Sequence, residues 1–107
     1  MNRKNHRLLR KDFDEVFNSG KRKHSPFFTI HSISTDDWSR LAFSVVVSKK
    51  VVKQAFLRNR TKRRLYSALK EVFSDLKEPI KGIIILKKDV SKTPFKDIVS
   101  EIKKTLI

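Results

Sequence analysis

The chain has 107 residues and carries 26 Lys and Arg against 11 Asp and Glu, a formal net charge of +15. That length suits one domain spanning residues 1–107 and is too short for two, while 2 Gly and 3 Pro with 38% hydrophobic residues exclude a low-complexity chain. With no Cys, a disulfide framework, thiolate metal sites and a cysteine nucleophile are excluded together, which suits a reducing cytoplasm.

The excess of cations points to a polyanionic partner. The longest stretch without Asp, Glu, Lys or Arg, His24 to Thr35, falls well short of the roughly 20 apolar residues of a membrane span. The basic N-terminus, Met1 to Arg7, leads into no apolar run, so neither signal peptide nor membrane partner is expected.

In chain order, Leu9, Phe13, Val16 and Phe17 recur at helical spacing before Gly20, which predicts a short helix from Lys11 to Ser19 with a glycine C-cap. Lys21-Arg22-Lys23 reads as a basic loop. Phe27 to Ile33 is aromatic and β-branched and predicts a strand, followed by a turn at Thr35-Asp36-Asp37. Leu41, Phe43, Val45 and Val47 alternate with small residues as a central strand would.

Leu65, Leu69, Val72 and Leu76 predict a long helix from Lys53 or Gln54 to Leu76. The apolar run Gly82 to Leu86 predicts a buried strand. Thr93 as N-cap and Pro94 at the first helical position then open a last helix carrying Phe95, Ile98, Val99, Ile102 and Leu106. The order αββαβα implies an α+β fold, a two-layer sandwich of a small sheet packed with helices.

The most informative segment is Arg58-Asn59-Arg60-Thr61-Lys62-Arg63-Arg64. No Asp or Glu occurs between Trp38 and Lys70, whereas ten Lys or Arg do, so these cations lack local counter-ions. Acids four residues away would have marked a salt-bridged surface helix, and the run has none. At 100° per residue from Leu65, Arg58 and Lys62 fall toward the sheet, whereas Arg60 and Arg63 fall on the opposite side. An unpaired Arg is too costly to bury, so the first two turns must overhang the core and line a groove. One helix thus offers two cationic surfaces.

Val47-Ser48-Lys49-Lys50, followed by Arg58-Asn59-Arg60-Thr61-Lys62-Arg63, resembles the signature of the bacterial ribonuclease P protein subunit: a strand ending in S-K-K, then R-N-R-x-K-R on a helix. Arg7-Leu8, with Asp12-Phe13 through Val16-Phe17 to Gly20, is similar to that family's R-L followed by D-F-x-x-V-F-x-x-G. The two motifs stand in the family's order across nearly the whole chain.

The resemblance implies a small basic protein that joins a large catalytic RNA to remove the 5′ leader from precursor tRNA, the chemistry being magnesium-dependent hydrolysis by the RNA. Mg2+ would be bound mainly by the RNA, with no catalytic or metal-binding residue in this chain and no protein partner. The resemblance assigns Phe13, Phe17, Phe28, His31, Ser44, Arg58, Asn59, Lys62 and Tyr66 to the groove for the single-stranded leader. Arg60, Arg63, Arg64, Lys49 and Lys50 would contact the RNA subunit. It also implies a left-handed β-α-β crossover, against the usual hand of such units.

Cations that follow the backbone and aromatic faces that meet unpaired bases fit such a groove. Phe13 and Phe17, one turn apart, suit either that strip or the core. Phe27 and Phe28 point to opposite faces of their strand, and the motif selects Phe28. The chain departs from the family at Val52-Lys53-Gln54-Ala55, which replaces G-N-A, at His31 where an aromatic is common, and at Tyr66 where an Arg is common. His31 suits stacking, donation to phosphate or a structural role.

An independent enzyme is not indicated. His6, His24 and His31 lack metal-ligand spacing, and Asp36, Asp37, Asp75, Glu78 and Asp89 sit in turns and at element ends. A structural RNA-binding protein such as a small ribosomal protein would share the size and charge. No helix-turn-helix pattern precedes the basic helix.

Overall fold

The computed structural model describes residues 7–107; the basic segment 1–6, including His6, lies outside the described residues. Helix α1 (Arg10–Ser19) leads through Gly20 into strand β1 (Lys21–His24), which turns into β2 (Phe28–Ser34). A 3-10 turn at Trp38–Arg40 precedes β3 (Ala42–Val46). Then come the long helix α2 (Ala55–Phe73), strand β4 (Ile80–Leu86) and helix α3 (Phe95–Leu106). The four strands form one mixed sheet in the order β1-β2-β4-β3, with β4 antiparallel to β2 and parallel to β3. This is the α+β fold that the patterning implies, with one strand added.

The added strand corrects the basic loop expected at Lys21-Arg22-Lys23. All four β1 residues are exposed, so no apolar alternation announces the strand, yet its backbone pairs with β2 from Lys21↔Ser32 to His24↔Thr29. Cations on an edge strand discourage pairing with another chain. Ser25 holds the hairpin bend, its Oγ accepting from the N–H groups of Phe27 and Phe28 at 3.1 and 3.2 Å.

Period-two alternation decides what each sheet face does. Phe28 and Ile30 of β2, Phe43 and Val45 of β3, and Ile84 and Leu86 of β4 share one face, which meets Leu65, Ala68, Leu69 and Val72 of α2 and Ile98 and Ile102 of α3. Burying each large apolar side chain there contributes about 1.5–3 kcal/mol. Gly82 lies under the Phe43 ring, where a Cβ would come within 2.3 Å of it. A glycine is needed there for close approach, since no residue adopts positive φ among those described.

Helix α1 packs on part of the other face. Its Val16 is fully buried and its Asp12 pairs with Lys81 of β4 at 3.4 Å. The α1 C-cap is Gly20 as expected, but in extended conformation at φ −73° and ψ 155°. The expected glycine thus serves a tight passage, because a Cβ would sit 2.4 Å from the Val16 carbonyl oxygen. Helix α2 stops at Phe73, short of the expected Leu76, and Pro94, instead of Thr93, occupies the α3 N-cap.

Candidate RNA interface

The register of the sheet lays out the face beneath α1 in rows. Arg22, His31, Ile83 and Ser44 form one row across all four strands, and His24, Thr29, Ile85 and Val46 form the next. Helix α1 covers the middle of the first row, where His31 and Ile83 are buried. Its Phe17 ring stacks on His31 at 4.8 Å with a 17° interplanar angle, and Phe13 stacks beside Phe17 at 6.2 Å. The second row is less covered: Thr29, Ile85 and Val46 stay half-buried, as does Ser44. A trough results, floored by the sheet and walled on one side by the aromatic stack of α1, from which Phe17 remains 46% exposed.

Helix α2 packs on the sheet's other face, against the core, and reaches the β3 edge from there. Its buried stripe, Thr61, Leu65, Ala68, Leu69 and Val72, turns two flanks away from the core. On one flank Asn59, Lys62, Arg63 and Tyr66 face the free edge of β3, where with Arg7, Val45 and Phe56 they line a hollow of about 570 Å³. Tyr66 fixes that contact. Its hydroxyl oxygen accepts the Val45 N–H at 3.2 Å, satisfying an edge donor of β3, and the Arg7 guanidinium lies 4.7 Å above its ring. Arg7 is held there because its segment bridges to Phe43 of β3, with the Leu8 N–H donating to the Phe43 carbonyl at 3.1 Å.

On the other flank Arg60 and Arg64 face the loop after β4, around a hollow of about 300 Å³ that also includes Val52, Leu57, Thr61, Asp89 and Ser91. The wheel that grouped Arg60 with Arg63 therefore needs correction. Measured from the centre of the buried stripe, Arg63 points straight out and its long side chain leans to the β3 side, whereas Arg60 lies toward the β4 loop. Lys49 and Lys50 are exposed in the turn after β3.

Three expected site residues are placed differently. Phe28 is 1% exposed and lies in the core, because it shares a strand face with Ile30 and pairs with Leu86; it cannot meet a ligand in the trough, where its neighbour Thr29 points instead. Arg58 does not project into the trough. Its guanidinium folds back over the start of its own helix, donating to the carbonyls of Val52 and Lys53 at 3.1 and 2.7 Å. Arg64 reaches the other way, donating to the carbonyls of Val90 and Thr93 at 2.9 and 2.6 Å, and so ties α2 to the loop before α3.

No α2 cation is neutralised by a carboxylate among the described residues, where the ion pairs are Lys81 with Asp12 and Lys103 with Asp75. His31 carries the largest electrostatic peculiarity of the trough. Burial, then the nearby Arg22 charge, lower its pKa below the usual histidine value, outweighing the Phe17 main-chain carbonyl, which favours the proton. Its Nδ1 is buried without a hydrogen-bond partner.

Two contributors escaped the sequence reading. Arg7 enters the α2 flank through a backbone bridge that no pattern announces. Phe56 was legible in principle, since an aromatic nearly opposite the Leu65 stripe must be exposed.

Comparison with known proteins matches the whole chain, residues 1–107, to the family model described as Ribonuclease P. The ribonuclease P protein component of Microcystis aeruginosa is 32% identical over 106 residues, covering 95% of this chain and 88% of that one. The corresponding Bacillus cereus protein is 28% identical over 106 residues, covering 98% and 88%. Among solved structures, the Thermotoga maritima RNase P protein shares the fold with a TM-score of 0.76 at 21% identity, over 92% of this chain and 93% of that one. The Staphylococcus aureus RNase P protein does so with a TM-score of 0.75 at 20% identity, over 95% and 92%.

Proposed function

This chain belongs to the bacterial ribonuclease P protein family, and from that premise we propose that it binds the catalytic RNA with exposed cations of α2 and the single-stranded 5′ leader of precursor tRNA along the trough beside α1 and onto the β3 edge. The carboxylate-free hollow of Asn59, Lys62 and Tyr66 at the β3 edge, with the Phe13–Phe17–His31 stack on the same sheet, carries this reading. Cations at the β3 edge suit the phosphates of an unpaired strand, and aromatic faces on α1 suit its bases without demanding a sequence.

Phe13, Phe17, His31, Ser44, Asn59, Lys62 and Tyr66 are the groove residues in this proposal. Arg60, Arg63, Lys49 and Lys50 meet the RNA subunit, and Arg58 and Arg64 hold α2 in place.

Hydrolysis of the leader is assigned to the RNA with its magnesium. Among the described residues no three His, Asp or Glu side chains converge on one point. The protein's contribution is to bind the leader and so raise the affinity for precursor over product. No helix is long and apolar enough to cross a membrane among the described residues, and the proposed setting is the cytoplasm.

Reconstitution tests the reading. Added to a bacterial ribonuclease P RNA at low magnesium, the protein should restore accurate cleavage of precursor tRNA and should cut nothing alone. A structural RNA-binding protein of the ribosomal kind would bind RNA without restoring cleavage, and that outcome would remove the proposal.

A further inference from the structure

Phe56 is the most exposed large apolar side chain among the described residues, at 66%. Single exposed aromatics are ordinary. Its surroundings are not. It sits in the second position of α2, whose first turn has no acidic residue and no side-chain cap, so the positive end of the helix is uncompensated. The hollow it lines also contains Arg7, Asn59, Lys62 and Arg63, and no carboxylate. The other aromatic there, Tyr66, already has one ring face covered by Arg7 and its hydroxyl engaged with Val45, whereas Phe56 stacks on no ring among the described residues.

We propose that Phe56 is a stacking platform for one unpaired base of the 5′ leader, with a flanking phosphate held by Lys62. The inference rests on the leader-binding reading above and adds a residue and a subsite to it. The ligand must combine a flat π-face with adjacent negative charge, because an apolar peptide would leave the surrounding cations desolvated and unpaired, whereas a nucleotide satisfies both. The leader is favoured over the RNA subunit because the hollow lies at the edge of β3 and holds Asn59, Lys62 and Tyr66, groove residues of the reading above, away from the flank that carries Arg60.

The test compares parent and Phe56→Ala holoenzymes, assembled with catalytic RNA, for equilibrium binding of precursor tRNA and of mature tRNA. Affinity for the precursor should fall about tenfold, equivalent to ~1.4 kcal/mol, within the range of one base–aromatic stack. Mature tRNA affinity should not change, nor should the salt slope, since no phosphate contact is lost.

Phe56→Leu should bind as weakly as Phe56→Ala. In a Trp38→Phe background, Phe56→Trp should restore binding, and its fluorescence should be quenched on adding a leader oligonucleotide. Precursor binding within twofold of the parent in Phe56→Ala, full affinity in Phe56→Leu, or unquenched Phe56→Trp overturns the stack. A loss in assembly with the catalytic RNA overturns the choice of leader. If the parent itself fails to prefer precursor to mature tRNA, the leader-binding reading fails instead.

Discussion

His31 is held where few histidines are comfortable. It is 6% exposed, stacked under Phe17, with the positive Arg22 beside it in the same row of the sheet. Both burial and the neighbouring cation favour the neutral ring. A histidine whose folded pKa lies below the ~6.5 of the unfolded chain takes up its proton later when folded. Over the interval between the two values the unfolded state therefore binds more protons, and stability rises with pH. Thermal unfolding followed from pH 7.5 downward should show Tm falling once pH drops below about 6.5. Subtracting the same curve for His31→Phe, which keeps the stack but cannot titrate, should isolate that loss. Parallel curves for the two proteins would mean that His31 contributes nothing to it.

At the scale of elements, Arg64 separates a fold anchor from an RNA contact within one basic run. Its two bonds to the Val90 and Thr93 carbonyls bind α2 to the loop that opens α3, and Val90 is buried beneath it. Truncation leaves both carbonyls to find other partners, at a cost of about 1–3 kcal/mol. Arg64→Ala should therefore lower Tm by several degrees, whereas Arg60→Ala, from an exposed side chain, should leave it within about a degree. Equal effects from both would deny Arg64 this role.

The same element shows what sequence could and could not convey. The acid-free run and the Leu65–Val72 stripe are written in the chain, so α2 and the want of acids along it were legible. Which flank each cation serves depends on what the helix packs against: the β3 edge drew Lys62 and Arg63, while the loop carbonyls drew Arg64 and those of the helix's own entry drew Arg58. Strand β1 was invisible because its stability comes from backbone pairing to β2 and none from apolar side chains. Phe28 went astray for a related reason, since a motif names a residue but only the register says which face it takes.

For the whole molecule, the decisive quantity is where the net charge of +15 lies. If binding to the catalytic RNA followed net charge alone, removing any cation would weaken it similarly. If it follows the α2 surface, location matters, because each phosphate neutralised on binding contributes about 0.7–0.9 to the slope of log affinity against log salt. Arg60 and Arg63 are exposed and face no acid within ion-pairing distance among the described residues, whereas Lys103 on α3 is paired with Asp75 at 2.7 Å. The Arg60→Ala, Arg63→Ala double variant should thus reduce the slope by about 1.5, measured by titrating the catalytic RNA across roughly 50–300 mM salt at fixed magnesium. Lys103→Ala should leave the slope unchanged, although it also removes a cation. A comparable reduction in both proteins would show that the charge acts diffusely, and the two-sided helix would then lose its claim to organise the RNA interface.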